Sequence, residues 1–139
     1  MDVTAIPFNS FIGIKYSDDK DFILEMEKSP NYLNHINTVH ASAQCALAEA
    51  TSGEFLLRTF SEYADNIIPV VRKVGLKFRK PAEGKIRSKA SMDKEMIENV
   101  KNDIVNKGRS MLTVKVEVFD ANDNLTMQSE FEWFIQKLK

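Results

Sequence analysis

Alternation and helical spacing divide the chain into a short series of elements. Between Asp21 and Glu27, the apolar Phe22, Leu24 and Met26 alternate with Asp21, Glu25 and Glu27, which predicts a half-buried strand with one wet face. Lys28-Ser29-Pro30-Asn31 is loop chemistry, because Pro and Asn interrupt regular structure. From about Val39 to Phe60 the period changes. Val39, Ala43, Ala46, Ala50 and Leu57 recur at helical spacing, and Asn37 or Thr38 is the expected cap. This helix is apolar on nearly every side, so it is expected to be wrapped by other structure rather than perched on a surface.

Period-two patterning returns in Ile67–Lys80, where Val74, Leu76 and Phe78 oppose Lys73, Lys77 and Arg79, and Pro81-Ala82-Glu83-Gly84 reads as a turn. Lys85–Ala90 alternates again. Ser91 or Asp93 is placed to cap a second helix through about Asn106, with Gly108 as its stop. Met111–Asp120 puts Leu112, Val114, Val116 and Val118 on one face. After the Asn122-Asp123-Asn124 turn, Leu125–Ile135 puts Leu125, Met127, Phe131, Trp133 and Ile135 on one face. A strand, a long helix and then mostly antiparallel strands interrupted by a second helix predict an α+β architecture, with a largely antiparallel sheet and helices on one face. No repeat or Gly/Ser linker divides residues 1–139, which read as one domain.

Composition narrows the function classes. The chain is 43% hydrophobic, enough for a real core. Its 19 Lys and Arg against 20 Asp and Glu give a net charge of −1, without the basic excess that general nucleic-acid binding needs. The Met1–Pro7 start lacks a charged region followed by an apolar run, and no apolar run approaches the ~20 residues of a membrane span. The single Cys forms no internal disulfide, which fits a cytoplasmic setting. Asn124-Leu-Thr126 matches a glycosylation sequon and is read as chance.

The chemistry concentrates in Asn34–Gly53. There the only groups that ionise near neutral pH are His35, His40, Cys45 and Glu49, with no Lys or Arg among them. On a helix, Ser42, Cys45, Glu49, Ser52 and Leu56 form one stripe, and no cation lies three or four positions from Glu49. A desolvated carboxylate without a cation has a raised pKa and is a candidate general base or acid. The competing reading is a solvated helix edge. His35, His40 and Cys45 are spaced by five, wrong for ligands on one helix face, so no metal site is expected. Cys45 has no evident basic partner and reads as a small core residue. The first amides of the helix, at Ala41 and Ser42, are free to face developing negative charge, as in an oxyanion hole. Ala41 and Glu49 lie about 12 Å apart along a helix, so one carbonyl does not easily reach both. Two copies of the helix, side by side and antiparallel, would bring Glu49 of one near Ala41 of the other.

The pattern Asn34-x5-His40-Ala41-Ser42-x4-Leu47-Ala48-Glu49-x3-Gly53 resembles the hotdog-fold thioesterases, specifically the phenylacetic-acid-degradation type and its uncharacterised relatives. Phe78-Arg79-Lys80-Pro81-Ala82-Glu83-Gly84 and the opening Pro7-Phe8…Ile12-Gly13-Ile14 fit the same family, so the resemblance covers nearly the whole chain. It implies an antiparallel sheet wrapped around the long helix, a homodimer or dimer of dimers (a homotetramer), and an acyl-CoA thioester bound between subunits. It implies no cofactor beyond the coenzyme A of the substrate. Carried over by position, Glu49 is the base or nucleophile, the Ala41 amide polarises the carbonyl with Ser42 beside it, Asn34 positions water or carbonyl, and His40 supports the loop. Typical members have Gly-Gly where this chain has Ala41-Ser42, and often Gly where it has Asn37. Gly permits backbone geometry that Ala and Ser resist, so a reshaped oxyanion hole is expected.

Two basic faces remain: Lys73, Lys77 and Arg79, and Lys85, Arg87 and Lys89. A solvated outer sheet face explains them. The functional alternative is phosphate binding, for which Arg79 and Lys80 at the strand end are the best placed. The alternative to a thioesterase is a non-catalytic hotdog module that holds acyl-CoA or fatty acid. A hydratase on the same fold fits the His position less well.

Overall fold

The long helix of the sequence is α2, Ala41–Thr59, and the rest of the chain is arranged around it. The computed structural model describes residues 1–139. A short helix α1 (Pro7–Phe11) precedes strands β1 (Lys15–Tyr16) and β2 (Leu24–Met26). After α2 come β3 (Ile67–Phe78), β4 (Ile86–Ser91), helix α3 (Lys94–Lys107), β5 (Arg109–Phe119) and β6 (Leu125–Lys137). The six strands form one sheet in the order β1-β2-β4-β5-β6-β3, with every neighbouring pair antiparallel. The α+β fold with an antiparallel sheet wrapped around a long central helix, the hotdog arrangement, is the one the resemblance implies.

The inward faces are those the alternation predicts. Leu112, Val114, Val116 and Val118 of β5 and Met127, Phe131, Trp133 and Ile135 of β6 are buried and join Leu47, Ala48, Ala50 and Leu56 of α2 in a single core. Three polar bridges tie α2 to the sheet. Thr51 and Ser88 share a hydrogen bond, Thr126 Oγ1 donates to Gln44 Oε1 at 2.8 Å, and Trp133 Nε1 donates to Ser52 Oγ at 3.0 Å. Helix α3 lies on the same face, since inward-facing Ser110 donates to its Asp103. Asp93, one of the two expected caps, accepts from the Glu95 amide, and Gly108 ends α3 in the left-handed region at φ 70°.

Two local readings are corrected, and β3 carries a feature that alternation alone does not show. The strand expected over Asp21–Glu27 is only Leu24–Met26, and Glu25 does not sit on a wet face: it is 1% exposed. The reason is a partner distant in sequence. Lys85 reaches its Oε2, and the Asp18 amide donates to its Oε1 at 3.0 Å. The cap of α2 is His40 rather than Asn37 or Thr38. Strand β3 changes parity: Ile67, Pro69 and Val71 face inward, then a bulge between Val71 and Lys73 shifts the register so that Val74, Leu76 and Phe78 face inward. Those last three oppose buried or core-facing residues of β6, yet they remain 40%, 37% and 46% exposed. Strand β3 is one of the two sheet edges, opposite β1, and α2 packs mainly on β4 and β5, leaving this inward strip uncovered.

Burial pushes the Glu25 carboxyl up, but Lys85, Ser17 and the Asp18 amide outweigh it and hold the pKa below its usual 4.5. Its stabilising contribution is therefore present above the ordinary glutamate range and is lost as pH falls through the depressed folded value. Lys85→Met, which leaves this carboxylate buried without its cation, is expected to cost about 3 kcal/mol in urea denaturation, with an unchanged m-value. A loss within 0.5 kcal/mol, roughly that of an ordinary surface substitution, would show the pair to be unimportant.

Candidate active site

The site begins with the turn that leads into α2. Leu33 bridges Val39, and the Asn34 amide donates to Thr38 O at 2.9 Å. Both ends of the Asn34 side chain hold this turn: Oδ1 accepts from the Ile36 and Thr38 amides at 3.0 Å, and Nδ2 donates to Thr38 Oγ1 at 2.9 Å. Asn37 sits at φ 60°. That is the position where the resembling family often has Gly, and Asn is among the residues that most readily adopt the left-handed region, so the turn keeps its shape.

At the helix start, His40 is extended, its Nδ1 accepts from the Ser42 amide at 2.9 Å, and its carbonyl accepts from the amides of Ala43 and Gln44 at 3.0 and 3.2 Å. Of the first four amides of α2, only that of Ala41 has no acceptor within the chain. The non-Gly residues with positive φ are Asn37 and Asp123, so Ala41 and Ser42 are ordinary helical residues and their backbone makes no demand for Gly. What the two residues add is side-chain bulk at the groove.

That groove, of about 480 Å³, is lined by Ala41, Ser42, Cys45, Glu49, Phe78 and Phe8, among others. A neighbouring groove of about 320 Å³ is lined by Asn34, Gln44, Arg79 and Lys80, and the two share Ala41 and Phe78. Glu49 is half-buried, forms no ion pair, and has its pKa pushed upward by burial. Burial and the nearby Glu49 both push the Cys45 thiol up, which suits a packing residue rather than a nucleophile. Arg79 and Lys80 are paired with no carboxylate, whereas Lys85 is bound to Glu25 and Glu27, and Arg87 to Asp19 and Asp123. Lys89 lies over the rings of Phe22 and Phe119.

The structure thus brings Ala41, Ser42 and Glu49 to one groove and Asn34, Arg79 and Lys80 to the next, the two meeting at the free amide. His40 lines neither and acts through the cap. Phe8, Gln44, Leu76 and Phe78 line the grooves but were not among the site residues expected from the sequence. For Gln44 a signal existed, since it lies three positions after Ala41 and so on the same helix face.

Residues 10–135 match the profile of a domain of unknown function, DUF4442. A Pseudomonas aeruginosa protein of unknown function, a probable thioesterase, shares the fold at 24% identity with a TM-score of 0.80, over 97% of this chain and 91% of that one. A thioesterase from Haemophilus influenzae is similar at 18% identity and TM-score 0.71, over 98% and 87%. A Bacillus halodurans protein solved with CoA is similar at 18% identity and TM-score 0.63, over 81% and 69%. No curated protein matches the chain.

Two outcomes follow from the geometry. His40→Ala is expected to cost about 1 kcal/mol by thermal denaturation, with His40→Asn recovering most of it, because Asn also caps; equal loss in both would exclude the capping role. Burial raises the Glu49 pKa above its usual 4.5, so ionised Glu49 destabilises the fold at neutral pH and the penalty disappears below the ordinary value. Glu49→Gln is therefore expected to be more stable than wild type at pH 7, with the gap closing toward pH 4.5; a gap that is constant with pH would contradict this.

Proposed function

The chain belongs to the DUF4442 family, and we propose that it hydrolyses an acyl-CoA or related carrier thioester at a site completed by a second copy of itself. The observation that carries this reading is the pairing of two groups in one groove: a half-buried carboxylate without a cation, Glu49, and an unpaired helix-start amide, Ala41. The amide and the positive end of the helix favour charge on a carbonyl oxygen placed there. A carboxylate with a raised pKa is the better proton acceptor, which favours Glu49 as a general base that takes a proton from attacking water. Collapse of the tetrahedral intermediate then expels the thiolate, which takes up that proton.

The two groups are about 12 Å apart along one helix, so the Glu49 that serves a given Ala41 belongs to the second copy. The uncovered inward strip of Val74, Leu76 and Phe78 and the free edge of β3 support such a dimer, since both are left open in the single chain. Arg79 and Lys80, unpaired beside the second groove, suit the phosphates of CoA. Asn34 and His40 work indirectly, by fixing the turn and the helix start. A second reading, a module that binds acyl-CoA or fatty acid without turnover, draws support from one observation: His40 occupies the Ser42 amide and leaves a single backbone donor.

The test is thiol release from short, long and aromatic acyl-CoAs by wild type and Glu49→Ala, with sedimentation to count the copies. Wild type is expected to turn over at least one of them as a dimer or larger, and Glu49→Ala to lose about 10²–10⁴-fold in rate while staying folded. An equally active variant would discard Glu49 as the base.

A further inference from the structure

We propose that Gln44 supplies the second donor of the oxyanion hole through its side-chain amide; for the identity of the carbonyl this rests on the thioester reading above. Gln44 is only 3% exposed, a rare degree of burial for an amide side chain on a helix of mostly small residues. It lies three positions after Ala41, on the same face. Side chains on a helix lean back over the preceding turn, which directs the Gln44 amide toward the turn that carries the free Ala41 N–H. Both residues line the groove that also holds Asn34, Phe78 and Arg79.

The two ends of the amide are in different situations. Oε1 accepts from the hydroxyl of Thr126, which is fully buried on β6, at 2.8 Å. Thr126 has a single proton and a second acceptor, Val118 O, at 3.2 Å, and the shorter contact claims the proton. That bond fixes the amide plane with its oxygen against the sheet. Nε2 donates to no acceptor in the chain, and it is not among the side-chain atoms sealed from solvent. An N–H₂ held in a fixed direction, open to the groove and without a partner in the chain is free to donate to whatever occupies the groove. An oxyanion beside the Ala41 amide is such an occupant.

The chemistry needs this donor because the backbone offers only one. As water attacks the thioester carbon, its proton passes to Glu49 of the second copy and the carbonyl π pair moves onto oxygen. The Ala41 N–H and Gln44 Nε2–H hold that charge. The carbonyl then re-forms, the C–S bond breaks with its electron pair on sulfur, and the thiolate takes the proton from Glu49, giving acid and thiol.

The experiment uses wild type, Gln44→Glu, Gln44→Met and Glu49→Ala, each checked for fold by circular dichroism. Gln44→Glu keeps the shape and the acceptor toward Thr126 and removes the donor; Gln44→Met removes both without adding charge. Two readouts are taken: thiol release, and the ¹³C shift of the labelled carbonyl in an acyl-CoA analogue whose sulfur is replaced by CH₂, a ketone that cannot be hydrolysed. Expected is a downfield carbonyl shift in wild type that persists in Glu49→Ala and shrinks in both Gln44 variants, whose kcat falls roughly 10²–10³-fold with KM little changed. Gln44 variants with the wild-type shift and kcat would overturn the donor assignment and leave the hydrolase reading standing. A Gln44-dependent shift in a wild type that hydrolyses no thioester would keep the assignment and overturn the hydrolase reading. A carbonyl that is unshifted in wild type would overturn the assignment outright.

Discussion

The structure depends on one constraint: α2 is buried along most of its length by a curved sheet, so its rotation about its own axis must be fixed. Small residues alone do not fix it, because Ala and Ser faces are nearly interchangeable in shape. The bridges from Gln44 to Thr126, Thr51 to Ser88 and Ser52 to Trp133 do, since each buried polar atom has its partner in only one rotational setting. With the helix set this way, Leu47, Ala48 and Leu56 enter the core and Ala41, Cys45 and Glu49 are left along the groove. The chemistry of the site is thus a by-product of how the core locks its central helix.

The start of that helix shows how side chains stand in for glycine. Asn37 takes the left-handed turn at the position where the resembling family often has Gly, and His40 supplies the cap. The cap consumes the Ser42 amide, so the residue before the helix limits the number of free donors at its start.

Much of this was legible in the sequence, and what was missed has a common cause. The parity of β5 and β6, the extent of α2 and the isolation of Glu49 all follow from spacing within one segment. The burial of Glu25 was not legible, because its partner Lys85 arrives from another strand. The inward turn of Phe78 could be read from local alternation, but not the bulge at Arg72 that reconciles it with Ile67 and Val71. Phe8 joins the site only through tertiary packing of a five-residue helix whose pattern is too short to show a period. His40 as a cap competed with Asn37 and Thr38, residues with stronger capping preference, and the Asn34 turn decided between them by bonding Thr38 to itself.

The strand order also sets when each part of the molecule forms. Strands β5 and β6 are joined by a tight turn and pair locally, whereas β3 must find β6 across the intervening chain: Ile67 pairs with Lys137 and Phe78 with Met127. Loop-closure entropy is overcome before such distant contacts repay it, so this ladder belongs to the late steps of folding. With a ladder on one side only in the single chain, β3 opens at less cost than the strands paired on both sides, and amide exchange is the observable that expresses this. Leu76 and Phe78, the far wall of both the groove and the open strip, ride on that strand. The wall of the pocket therefore forms late and opens more readily than the central strands beside it, so the groove widens without unfolding the core.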